Sequence, residues 1–305
     1  MQQLVNIFNT NETFARIESL IHKRFKIMKI KHLLLAGLSL CCINANATLS
    51  NLAWDNANEY VDAWEGNGGF GFESWSFIRD FAGGDAGQFL AFKSSNGDLN
   101  HITTAPDDKA WGSFANGPGF NQFEAYRGFG SNSLSQVGDV FRLSFEHGGI
   151  QSGGAVGFTL RNGNQASSIG DYNANSRFEL SFLGGANTYS IFDGSGQVDT
   201  GIGFTDAGLH IVFELTSTST YRLDILNAFN PAINPFSTTG NLSGSGSIDS
   251  VSLFNRDAED ANAYFNALSI GRQVPNIAVS APSSLALFSI AFITLLKRKK
   301  ISLNS

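Results

Sequence analysis

Glycoside hydrolysis is the sharpest chemistry that the acidic residues of this chain could support. It needs two carboxyl groups about 5–10 Å apart, one as acid and one as nucleophile or base. The close groupings are Asp55 with Glu59, Glu59 with Asp62, and Asp257 with Glu259 and Asp260. None has the Glu-x-Asp-x-x-Glu spacing that sets both carboxyls on one strand face. A solvated acidic surface accounts for all three, and no residue is assigned as catalytic. Serine chemistry would need a Gly-x-Ser-x-Gly elbow; Gly194-Ser195-Gly196 and Gly244-Ser245-Gly246-Ser247 read instead as turns of small residues. His101, His147 and His210 stand alone, with no second histidine at metal spacing and no His-Glu-x-x-His motif. His210 falls on the polar face of a strand and reads as a surface residue.

Two kinds of binding fit better. Calcium takes several oxygens from carboxylates and backbone carbonyls. The segments carrying Asp193 and Asp199, and Asp257 and Asp260, could supply them as a structural ion site. Neither has the full EF-hand pattern, and a polar turn is the plainer reading of each. No other cofactor is implied. Carbohydrate needs aromatic faces beside hydrogen-bonding side chains. Trp54, Tyr60 and Trp64, surrounded by Asn56, Asn58, Glu59 and Asp62, are the best grouping. Trp75, Trp111 and Tyr126 are further candidates, although aromatic residues of a layered sheet protein mostly fill its core.

The elements that must position these residues are strands. In 140–146, Phe141, Leu143 and Phe145 alternate with Arg142, Ser144 and Glu146. The same period of two runs through Phe158 and Leu160, through Phe178, Leu180 and Phe182, and through 209–215 and 221–225. It puts one face of each strand in a core and the other in water, as in antiparallel sheets. Further strands are expected at 75–81, 88–93, 120–128, 188–192, 248–254 and 263–270. Turns rich in Gly, Asn and Asp separate them. Ser217-Thr218-Ser219 closes a hairpin between 209–216 and 220–226. No stretch of this region has helical periodicity with caps; 257–261 is at most one turn. The pattern predicts an all-β fold: a single antiparallel β-sandwich or jelly roll over residues 48–272, with ten to fourteen strands. The first strand, near 52–60, is expected beside the last, 264–270.

Composition limits the partners. Residues 48–281 hold 24 Asp and Glu against 10 Lys and Arg, a net charge of −14. An acidic domain excludes nucleic acid as a partner, since that needs a basic face. The cysteines, Cys41 and Cys42, precede this region, so it is held by its core without disulfides or thiolates.

The flanks point to export. Met28-Lys29-Ile30-Lys31-His32, an apolar run at 33–43 and Ala45-Asn46-Ala47 form a secretory signal peptide, 28–47, with a signal helix and signal peptidase cleavage after Ala47. Residues 1–27 read as an over-extended start ahead of Met28 or as a long basic lead-in. Leu38-Ser39-Leu40-Cys41 is a weak lipoprotein motif, because a bulky Leu precedes the cysteine. At the other end, residues 273–305 carry a small-residue and proline motif, an apolar transmembrane helix at 282–296 and the basic tail Lys297-Arg298-Lys299-Lys300. That order stops transfer through a membrane with the basic end in the cytoplasm.

This C-terminal segment resembles the PEP-CTERM sorting signal read by an exosortase. The residues that carry the likeness are Val279, Ser280, Ala281 and Pro282, the small residues that follow, the Leu285-Ala286-Leu287-Phe288 opening and the basic tail. The motif's glutamate is replaced by Ala281, which bears on cleavage but not on anchoring. An ordinary C-terminal membrane anchor is the other reading of the same residues. Residues 50–270 also resemble a concanavalin-like or jelly-roll domain that recurs in such sorted proteins. The matching stretches are 53–57 with 68–72, 84–89, 182–189, 199–205 and 264–270. The resemblance implies fold and location, with no activity attached. The expectation is an exported protein, membrane-anchored or sorted by an exosortase to the cell surface or extracellular matrix. It is non-enzymatic and in contact with polysaccharide. The alternatives are a glycan-active enzyme with a diverged site, and a structural matrix component without a ligand.

Overall fold

A computed structural model describes residues 48–163, 174–259 and 261–274. The signal peptide with Ala45 and Ala47, the sorting motif Val279–Pro282, the apolar helix, the basic tail and Asp260 lie outside the described residues. Among the described residues, no helix is long and apolar enough to cross a membrane.

Residues 48–274 form one compact unit, and its described residues hold fifteen strands in two antiparallel sheets. The strands are β1 (Thr48–Asp55), β2 (Ser76–Phe81), β3 (Asp85–Phe92), β4 (Lys109–Asn116), β5 (Asn121–Gly128), β6 (Asp139–His147), β7 (Ala155–Arg161) and β8 (Ser176–Leu183). They continue with β9 (Thr188–Asp193), β10 (Gly196–Gly203), β11 (Leu209–Leu215), β12 (Thr220–Asn227), β13 (Phe236–Asn241), β14 (Ser250–Arg256) and β15 (Ala263–Val274). The larger sheet runs β13-β12-β11-β6-β15-β4-β3, with β1 also on β15; the smaller runs β10-β9-β8-β7-β14-β5-β2. The only helical pieces among the described residues are three 3-10 turns.

The period-two pattern does what it should at the centre of each sheet. Phe141, Leu143 and Phe145 of β6 face Phe158 and Leu160 of β7, Phe178 and Leu180 of β8, and Val251 and Leu253 of β14 in one continuous core. The first and last strands do pair: β1 runs antiparallel to the second half of β15, with Trp54 opposite Ser269. The first half of β15 pairs with β4 on that same edge, Phe265 opposite Trp111. A register shift between Asn266 and Ser269, where Ala267 has φ 52°, divides the two halves. The hairpin of β11 and β12 has Leu215 opposite Tyr221, as its turn predicts.

Strands β4, β10 and β13 have no clear sequence signal, which brings the total above the expected ten to fourteen. β10 and β13 are the outer strands of their sheets, so their polar, glycine-bearing sequences need satisfy only one neighbour. β4 is buried on both faces and therefore does not alternate.

The expected solvated face is also covered in places. Glu146, on the outward side of β6, is fully buried and accepts the backbone N–H groups of Asn100, His101 and Ile102. Asn266 donates to the carbonyls of Ile102 and Lys109, both at 2.9 Å. These two side chains hold the 97–105 segment across the larger sheet, over a second small apolar cluster of Ala91, Leu99, Ile102, Ala110 and Tyr264.

Candidate functional site

The aromatic grouping read from the sequence does not form a binding platform. Trp64 is fully buried, its ring 5.2 Å from Trp75, 5.3 Å from Phe77 and 5.9 Å from Trp111. Tyr60 is buried too, its hydroxyl donating to Asp55 at 2.7 Å and accepting from Trp75 Nε1 at 2.9 Å. Burial pushes its phenol up to about 12. Tyr126 is likewise covered, with its hydroxyl on Glu124 and the Arg161 guanidinium 4.9 Å above its ring. Tyr60 and Trp64 are taken up by packing between the layers, whereas Tyr126 is covered by Glu124 and Arg161 on the outward face of its sheet. Trp54 alone stays open, at 39 % exposure, and pairs with the still more exposed Phe70 through reciprocal backbone bonds of 2.9 and 2.8 Å. Gly69, with φ 68°, permits that approach, since a Cβ there would meet the Trp54 carbonyl at 2.2 Å.

The carboxylate and calcium groupings separate as well. Asp55 lies inside the sandwich, ion-paired with Arg127, while Glu59 and Asp62 are exposed. Asp193 and Asp199 sit on opposite faces of the β9–β10 hairpin: Asp199 opposes Ser190, three residues from Asp193, so their side chains alternate apart. Asp193 accepts from Tyr221 at 2.6 Å and from the Ser195 N–H at 2.7 Å. The exposed Asp199 accepts from the Gly201 N–H at 2.7 Å, which draws its carboxyl below the usual range. Asp257 accepts from the Asn121 N–H at 2.6 Å. Asp193 and Asp199 each close their own turn, and Asp257 ties its loop to the start of β5. Among the described residues no three His, Cys, Asp or Glu side chains come together around one ion position. His210, half-buried, meets the Ser144 hydroxyl at 2.8 Å on the outward face of the larger sheet.

The concentration of polar side chains lies instead on the outward face of the smaller sheet. Register fixes which residues share it. Glu179 of β8 opposes Thr159 of β7 and Phe192 of β9; Ser252 of β14 opposes Thr159 and Tyr126 of β5. Glu124 and Gln122 of β5 and Arg256 of β14 continue the face by the two-residue repeat. A cavity of about 500 Å³ opens here, walled by Glu179, Leu183, Phe192, Gln197, Ser243 and Arg256. Gln197 Nε2 donates to Ser190 at 3.1 Å, and Ser181 donates to Glu179 at 3.0 Å. Glu124 accepts from both Gln122 and Tyr126. Burial holds the Glu179 carboxyl above its ordinary value, with the Ser181 bond and the Arg256 charge opposing. Glu124 and Glu179 stand three strands apart, about 14 Å between backbones at ~4.8 Å per strand. Such a cavity, part apolar wall and part amide, carboxyl and guanidinium, suits a neutral polyhydroxylated ligand.

The sequence placed Glu179 on the polar side of its strand by alternation with Phe178 and Leu180. Nothing in it joined Glu179 to Phe192, Gln197 and Arg256, which come from three other strands.

A pH test isolates Glu179. Its folded pKa is raised, so between the ordinary carboxyl value and the folded one the native state keeps a proton that the unfolded chain has released. Wild-type stability therefore falls as pH rises through that window. Glu179→Gln removes the slope, so its stability relative to wild type should climb with pH from about pH 4 and then level off. Glu146 and Asp55, also raised, are common to both proteins and cancel. Urea unfolding from pH 4 to 8 gives the answer; parallel curves would show that Glu179 titrates normally.

No protein-family model matches the chain, and no match was found among curated proteins. Similar solved structures include the exoplasmic/lumenal domain of VIP36 in its Ca2+/Man3GlcNAc-bound form, at 9 % identity and TM-score 0.40, covering 68 % of this chain and 88 % of that one. Lectin II from Ulex europaeus matches at 11 % identity and TM-score 0.38, covering 74 % of this chain and all of that one (100 %). A carbohydrate esterase from Shiga toxin-encoding bacteriophage phi24B matches at 13 % identity and TM-score 0.39, covering 66 % and 90 %. At such scores the likeness assigns neither family nor activity.

Proposed function

We propose that this chain is an exported surface or extracellular-matrix protein whose jelly-roll, concanavalin-like sandwich contacts polysaccharide without cleaving it. The supporting observation is the cavity on the smaller sheet, where the half-buried Phe192 ring lies with Glu179, Gln197 and Arg256. An apolar ring face beside planar hydrogen-bonding groups matches the two sides of a pyranose. Export and anchoring rest on the signal peptide, the apolar helix at 282–296 and its basic tail. Signal peptidase and an exosortase-like enzyme are the processing partners this reading calls for.

Affinity electrophoresis of the protein through gels containing bacterial exopolysaccharide, followed by calorimetry on the polymer retained, tests it. Phe192→Ala should weaken binding about tenfold, ~1.4 kcal/mol, while Trp54→Ala on the other sheet leaves it unchanged. Retardation lost with Trp54→Ala and kept with Phe192→Ala would move the site to the Trp54–Phe70 pair. No retardation by any polymer would leave the ligand-free matrix reading.

One observation bears on the enzymatic alternative: Glu179, in the wall of the cavity, is held toward its protonated form as a general acid would be, while Glu124 stands too far off to be its partner. Release of reducing ends from a retained polymer, abolished by Glu179→Gln, would establish it.

A further inference from the structure

A second cavity, of about 320 Å³, lies where the chain crosses from β13 to β14. Leu134, Leu215 and Leu242 form its apolar wall, and Arg177 of β8 and the turn 244–247 its polar one. Arg177 is 1 % exposed. Its guanidinium donates to the Ser243 carbonyl and, at 3.4 Å, to the Thr218 carbonyl. Its Nε has no acceptor, and no carboxylate pairs with it among the described residues. Burial pulls the guanidinium below its usual range, and no neighbouring charge offsets this. The nearby acids are engaged elsewhere: Asp139 by Arg272, and Asp249 by Ser247 and Asn162.

The turn adds donors. Gly244 and Gly246 have φ 60° and 94°. No backbone carbonyl among the described residues accepts the N–H groups of residues 244–247. Successive N–H groups in such a turn form a concavity that attracts anions. A buried cation without a counter-charge is costly to a fold unless something answers it.

We infer that the Arg177 cavity is a binding site for an oxyanion, the phosphate, sulfate or carboxylate group of a small ligand. It is separate from the glycan cavity and stands whether or not that reading holds. The site works against the acidic charge of the domain as a whole, so its selectivity comes from the fork geometry of Arg177 and the N–H groups of the turn.

The test is the melting temperature of the whole protein, titrated with inorganic phosphate, inorganic sulfate or glucuronate against sodium chloride at matched ionic strength. A saturable rise of about 3–5 °C is expected at tenfold the dissociation constant. The most effective anion identifies the group the site prefers. Arg177→Gln should abolish the saturable part. Because that variant removes a buried group and could fail to fold, Ser245→Asp is the second arm. Ser245 is exposed at the cavity wall, and a carboxylate there should answer Arg177 internally, raising the melting temperature in chloride and removing the response to phosphate. Rises that are linear and equal in wild type and Ser245→Asp would reflect general salting-out and overturn the inference, as would no rise with any of the three anions.

Discussion

Replacing Arg127 by Met will destabilise the domain by about 3–5 kcal/mol. Arg127 and Asp55 are both fully enclosed, one from β5 in the smaller sheet and one from β1 in the larger, so their ion pair ties the layers together. The guanidinium also donates to Tyr60 at 2.7 Å, to Asn67 Oδ1 and, at 2.9 Å, to the Gly68 carbonyl. It sits 4.9 Å from the centre of the Trp75 ring and 5.2 Å from that of Phe72. Methionine keeps much of the volume and loses every one of these bonds. The loss then falls on Asp55, a carboxylate left in the interior without its counter-charge. Burial already raises the Asp55 carboxyl, with Arg127 the principal opposing influence. Without Arg127 the pKa must rise further. By linkage the variant should recover relative to wild type as pH falls, since protonation removes the stranded charge. The double variant Asp55→Leu, Arg127→Met should be more stable than Arg127→Met alone, because the stranded charge is gone. Urea unfolding of the singles and the double at two pH values measures all of this. A loss under 1 kcal/mol in Arg127→Met would mean that water reaches Asp55 and the pair is not enclosed.

Trp64→Ala is the second large effect, again about 3–5 kcal/mol, or a fall in melting temperature of roughly 10 °C for a domain of this size. Trp64 stands at the centre of a ring cluster with Trp75, Phe77, Trp111 and Phe123, and none of these can collapse into the space it leaves without giving up its own contacts. The prediction separates two roles for one residue. A surface tryptophan that stacks on sugar would lose binding and keep stability; this one should lose stability and, in the fraction that stays folded, keep whatever polysaccharide binding the protein has. Thermal unfolding and affinity electrophoresis of the same preparation distinguish them, and a melting temperature within 2 °C of wild type would put Trp64 back at the surface.

Much of the fold is legible in the chain. The inward faces of β6, β8, β11 and β12 follow from alternation, because a pleated strand sends successive side chains to opposite sides whatever surrounds it. The β11–β12 hairpin follows from three small polar residues between two alternating runs. The pairing of β1 with β15 agrees with closure of the sandwich by its two ends. What lies on the other side of a strand is not legible in this way. Alternation places Glu146 on the solvated face of β6, and the 97–105 segment covers it. Asp193 and Asp199 are close in sequence and on opposite faces of a hairpin. Tyr60 and Trp64, set among Asn, Asp and Glu, make with Trp54 the best platform the sequence offers, yet they lie between the layers, where most rings of such a fold go.

The sequence by itself determined the all-β class, the direction of the core from the alternating strands, the absence of sulfur chemistry from residues 48–274 and the acidic character of that region. These are local or additive properties, set by composition and by a repeat of two. Only the tertiary structure decided which polar groups share a surface: Glu179 with Phe192, Gln197 and Arg256, and Arg177 with the turn at 244–247. Such neighbours come from strands far apart in the chain, and their meeting is fixed by sheet order and register, which depend on every pairing at once.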